Sequence, residues 1–164
     1  MAEEPSYLGV LNVIAIAEKR GYEYLSAWAD VTPDPEVRAV LRTVAIREGE
    51  HFLAFSKRID ELGFEVHDDG PSDEFERKFA IVTSDWPDLE KMDTLGYAFD
   101  APPALRDDGD RYVGLFRDTT IDVQTAALLG RYIAEERDTA RLFHRCHEIL
   151  SERARSIEAL HGHG

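Results

Sequence analysis

The chain's first helical stretch ends at VTPDP (31–35), and a second begins inside that same phrase. Residues 6–30 carry helical periodicity for about seven turns, with Pro5 and Ser6 suited to their start. The prolines at 33 and 35 stop this helix, and Asp34 with Pro35 supplies an N-cap and first turn for the next. The second helix runs to about Leu62, before Gly63. A link of five residues leaves room only for an antiparallel hairpin spanning residues 6–63.

The hairpin's faces are unusual in content. Leu11, Ile14, Glu18, Tyr22 and Leu25 share one stripe of the first helix, and Val10, Val13, Ala17, Tyr24 and Trp28 lie beside it. So wide an apolar arc implies contacts on two sides. On the second helix Val37, Val40, Leu41, Val44, Phe52, Phe55, Ile59 and Leu62 fall within an arc of roughly 140°. Glu48 and His51 lie inside it; Arg38, Arg42, Arg47, Glu50 and Lys57 fall outside.

An ExxH pair puts a carboxylate and an imidazole on neighbouring turns of one helix face. Helical bundles use this spacing, with a lone Glu from an adjacent helix, to bind iron or manganese. Glu18 supplies that carboxylate. Taking residue 33 as the hairpin midpoint, Glu18 and Glu48 are equidistant from it and should stand at one level. No Lys or Arg occupies the stripe, so the buried negative charge needs a cation, and carboxylate with imidazole suits iron or manganese. A metal-free polar cluster is the competing reading. ExxH occurs once more, as Glu158 to His161, with no apolar frame and no opposing Glu; that match is accidental.

Residues 64–117 are less regular. DEFERKFAIVTSD reads as a short helix and WPDLEKMDTLGYAF as another, with EVHDDGPSD and DAPPALRDDGD as loops. The last long helix spans 118–159, with Ile121, Leu128, Tyr132, Thr139, Phe143, Cys146 and Leu150 as its core stripe, and a mobile tail follows at 160–164. Gly130 inside that helix suggests close packing or a bend. No strand-like alternation appears, so the fold is all-α in a single domain.

Glu135 and Glu136 lie beside the core stripe. The phrase IAEKRGYEYL (16–25) echoes IAEERDTARL (133–142), which superposes Glu18 on Glu135, whereas Glu136 has more apolar neighbours one turn away. Either could face the core. Tyr22, one turn from Glu18, is a candidate hydrogen-bond partner or a core aromatic. His144 and His147 read as boundary residues, and Cys146 as packing, since no histidine or helix N-terminus activates it.

Composition narrows the function. A formal charge of −14 disfavours a nucleic-acid backbone and an anionic membrane as partners. No apolar run reaches the about 18 residues that a membrane helix needs. The acidic start MAEEPSYLGV is unlike a secretory signal, and one cysteine excludes an intrachain disulfide; a cytoplasmic location is the default expectation.

The stretches IAIAEKRGYEYLSAWA, DVTPDPEVRAVL and RTVAIREGEHFLAFSKRIDELGF together resemble the ferritin-like superfamily, nearest its rubrerythrin-like and encapsulated-ferritin branches. The resemblance covers residues 11–64 well and 121–150 weakly. It implies a ferritin-like four-helix bundle with a di-iron site, carried over to Glu18, Glu48 and His51. Two iron ions, with manganese as substitute, and oxygen or peroxide as small-molecule substrate follow from it, as does oxidase, peroxidase or iron-handling chemistry.

The chain departs from that pattern where a second hairpin should repeat Glu-then-ExxH. Only Glu135 or Glu136 is available, and Glu158 stands about 33 Å from Glu136 on the same helix. Cysteine pairs for a rubredoxin-type iron centre are absent. A homodimer could complete the site about a twofold axis, or one chain could hold a reduced site with a last-helix Glu. The alternative function is a metal-free helical bundle used for dimerisation or docking.

Overall fold

The computed structural model describes residues 4–97 and 110–161, apart from the side chains of Asp110 and Arg111. The described residues are helical, with no strand among them: α1 (Leu8–Val31), α2 (Pro35–Glu61), α3 (Asp73–Thr83), α4 (Asp88–Thr94), a 3-10 helix (Asp110–Arg117) and α5 (Val123–His161). The all-α expectation holds. Where the resemblance implied a second long hairpin, the 11-residue α3 and seven-residue α4 lie instead. Most of the predicted loop 100–110, and residues 162–164 of the predicted tail, lie outside the described residues.

The hairpin is built from the signals that announced it. Asp34 accepts hydrogen bonds from the Glu36 and Val37 amides, and Pro35 opens α2. Gly63, at φ 88°, takes the left-handed turn that ends it. α5 begins at Val123, five residues later than predicted, because Asp122 caps it: one carboxylate oxygen accepts from the Thr125 amide at 2.9 Å and the other from its hydroxyl at 2.6 Å. Arg58 of α2 and Tyr7 also bind Asp122, tying this helix start to the open end of the hairpin.

At its other end α5 meets the hairpin turn, where Arg153 pairs with Asp34 and Glu36. α5 therefore runs antiparallel to α2. Gly130, expected to permit close packing, is exposed, and nothing would meet a side chain there.

Two apolar cores flank a polar layer. Leu25, Trp28, Leu41, Val44, Met92 and Phe143 pack near the hairpin turn. Leu11, Ile14, Phe55, Ile59, Leu129 and Tyr132 pack near its open end. Burying one such large side chain contributes about 1.5–3 kcal/mol, whereas an unpaired buried charge costs several kcal/mol. The two cores together can carry one ionic layer, and the layer between them holds the candidate site.

α3 and α4 are fastened to this frame. Trp28 Nε1 donates to Asp88 at the start of α4 at 2.7 Å. Lys91 of α4 is buried, and its ammonium donates to the carbonyls of Val82 and Ser84 at the end of α3, at 3.0 and 2.8 Å. A cation suits that end of a helix, where carbonyls lack partners.

Candidate metal centre

Glu18 of α1, His51 of α2 and Glu136 of α5 converge in the polar layer. Each offers a ligand atom, and the three atoms lie within 4.8 Å of one another. Glu18 and His51 are buried and Glu136 half-buried. The two imidazole nitrogens face different ways. Nδ1 points into the cluster, 2.9 Å from Glu18 Oε2 and 4.0 Å from Glu136 Oε1. Nε2 points away, 2.6 Å from Glu135 Oε2.

The ambiguity between Glu135 and Glu136 is thereby resolved by position. Glu136 joins Glu18, while Glu135 grips the far side of the imidazole and is itself bound by Arg131 at 3.0 Å. The echo that superposed Glu18 on Glu135 does not separate the two, since both carboxylates approach the His51 ring, from opposite nitrogens. A carboxylate on the outer nitrogen fixes the ring's orientation and leaves Nδ1 as the inward donor atom.

Glu48 lies beside this group. Its carboxyl lies over Gly21 of α1, where an added Cβ would collide with it, and close enough to Glu18 for the two acids to interact. Glu18 and Glu48 interact across the helix pair, and each also has a second neighbour on the other helix. Glu18 meets His51, and Glu48 meets Gly21. Side chains lean toward the N-terminus of their own helix. In an antiparallel pair Glu18 therefore leans away from the turn, toward His51, while Glu48 leans toward the turn, onto Gly21.

The electrostatics reflect excess acid. Burial raises the Glu48 pKa well above the ordinary carboxylate range, and the charges of Glu18 and Glu136 add to it; Arg47 opposes. Burial works against the His51 cation, but hydrogen bonds to Glu18 and Glu135 outweigh it and raise the imidazole pKa. Burial also pushes Glu135 upward, yet His51 and Arg131 leave it lowered. Without another cation the layer retains protons.

Two contributors escaped the sequence reading. Tyr132, placed only in the core stripe, donates to Glu18 Oε1 at 3.0 Å and packs edge-on against the His51 ring. Its spacing of four from Glu136 puts both on one helix face, which was the available signal. Arg47, outside the apolar arc, reaches α5 and donates to the Glu135 carbonyl, Thr139 and Asp138. Tyr22, considered as a partner of Glu18, is instead 48% exposed and lies against Gly49.

His144 and His147 lie at the boundary, as expected, with His147 2.7 Å from Asp93. Cys146 is buried in the core near the turn, where burial pushes its thiol up to about 11.

A cavity of about 1010 Å³ opens onto the cluster from the side of α1, α3 and α5, with Glu18, Glu48, Tyr132 and Glu136 in its wall. No helix of the described residues is long and apolar enough to cross a membrane. Comparisons with family models, curated proteins and solved structures gave no match to this chain.

Proposed function

We propose that the polar layer is a carboxylate–histidine metal centre in which Glu18, Glu48, His51 Nδ1 and Glu136 bind a divalent cation, with iron first and manganese second. The observation that carries this is the convergence of two carboxylates, Glu18 of α1 and Glu136 of α5, on the inward nitrogen of a buried imidazole of α2. Carboxylate oxygens with one imidazole are the donor set that iron and manganese favour. The bare backbone of Gly21 makes room for the Glu48 carboxylate, and Glu135 and Tyr132 hold His51 and Glu18 in position.

Bound iron would supply redox chemistry with oxygen or peroxide, giving an oxidase, peroxidase or iron-handling activity of the ferritin-like kind. The chain's own part is to supply negative charge, fix the ring orientation and hold protons on Glu48 and His51 until a cation displaces them. One chain's donor set suffices for one ion. A pair of ions requires carboxylates shared between them or supplied by a second copy in a homodimer.

Elemental analysis of protein purified without chelator tests the proposal. Wild type is expected to carry about one iron or manganese per chain, and His51→Ala or Glu48→Ala to lose it. Metal-free wild type that also fails to take up ferrous or manganous ion on titration refutes it.

One observation favours a second reading. Both His51 nitrogens already face carboxylates, Glu18 and Glu135, so an imidazolium could bridge α2 to α1 and α5 without metal. The chain would then be a helical docking or dimerisation module. This reading predicts no metal uptake and a large loss of stability in His51→Ala.

A further inference from the structure

We propose that the cavity beside the cluster binds one uncharged organic molecule with a flat, apolar body that lies beside Glu18, Glu48 and Glu136 and an oxygen acceptor that faces the Tyr24 and Tyr97 hydroxyls. Its role as substrate rests on the metal-centre proposal; its binding does not.

Size is the first argument. Oxygen and peroxide are two-heavy-atom molecules, whereas about 1010 Å³ is at the upper end of the roughly 300–1,000 Å³ of sites for organic ligands. A space of that volume against a buried ionic layer is far more than a diatomic oxidant requires.

The wall is the second. Ile16, Leu95 and Phe143 give it apolar surface, and Phe75 closes one side beneath the Arg20 guanidinium, 5.3 Å from the ring centroid. Tyr97 stacks on Phe143 with centroids 4.3 Å apart and planes at 20°. Flat rings held in this way favour a flat partner.

The third is a spare donor. The Tyr24 and Tyr97 hydroxyls meet at 2.5 Å in the cavity wall. Two hydroxyls own two protons, and their mutual bond uses one. The other has no acceptor among the described residues. Burial raises the pKa of both phenols, so the pair stays protonated and can donate to a ligand carbonyl or phenol. Charges elsewhere in the wall are largely matched: Asp68 binds Lys19 and Arg20, and Glu74 binds Lys78. The tyrosine pair is therefore the directional element.

The test is titration of the full chain with 2-acetonaphthone, an uncharged flat ketone, followed by Trp fluorescence and calorimetry, with metal content measured on the same samples. Saturable one-to-one binding is expected. It should weaken about five-fold in Tyr97→Phe, since a hydrogen bond to a neutral acceptor is lost. It should be lost in Ala140→Trp, which fills the cavity from α5, with a thermal melt checking that each variant folds. Absence of saturable binding to wild type, or equal binding to wild type and both folded variants, overturns the inference. Metal bound with no ketone bound leaves the metal centre standing and removes the ligand site. Ketone bound by a chain that takes up no metal retains the ligand site and removes the metal centre.

Discussion

Within the polar layer, Glu48 is the residue at which a proton and a cation compete. Burial, Glu18 and Glu136 favour its protonated form, with Arg47 opposing. A carboxyl with a higher pKa in the folded chain stabilises the fold at low pH, and that contribution is lost as pH rises through the folded value. His51, raised above its ordinary 6.5, acts in the same direction at higher pH. Metal-free protein should therefore melt lower at pH 8 than at pH 6. Glu48→Gln should flatten this slope and raise the melting temperature at pH 8, by roughly 2–4 °C per kcal/mol gained. A variant as pH-sensitive as wild type would remove Glu48 from the account. Bound cation should reverse the trend, because binding releases these protons.

At the scale of elements, Lys91 is the clearest test of how the short helices are held. Its buried ammonium is shared between two carbonyls at the end of α3. Lys91→Ala leaves both without this donor and should cost about 2–4 kcal/mol, read by denaturant unfolding. A loss below about 0.5 kcal/mol would show that water replaces the ammonium easily.

This latch was not legible in the sequence, where Lys91 is one charge in a short amphipathic segment. The hairpin was legible because Asp34, Pro35 and Gly63 punctuate it with residues that have few other uses. Glu18, Glu48 and His51 stood out as polar residues in apolar stripes. Counting from the turn brings Glu18 and Glu48 together but does not place Glu48 over Gly21, because it locates Cα atoms, whereas contacts also follow the lean of the side chains. Glu136 could not be separated from Glu135 because both flank the same stripe, and only the position of the His51 ring distinguishes them. The start of α5 was misplaced because Asp118 and Asp122 are both capable caps; Asp122 is the one that Arg58 and Tyr7 bind.

For the whole molecule, the decisive feature is that one chain brings carboxylates of α1 and α5 to one buried imidazole of α2, between two apolar cores. On the proposed function, a last-helix glutamate takes the place that the twofold scheme left to a partner. Metal bound per chain should then stay constant as protein is diluted through any dimer dissociation, measured by elemental analysis across a light-scattering dilution series. A ratio that falls with the dimer fraction would move the site to a homodimer interface. The most direct measurement is an anomalous difference map, at the iron edge, from crystals of the full chain grown with ferrous iron. The account predicts a peak within bonding distance of His51 Nδ1, Glu18 and Glu136; density with no peak there, and His51 still bridging Glu18 to Glu135, would contradict it.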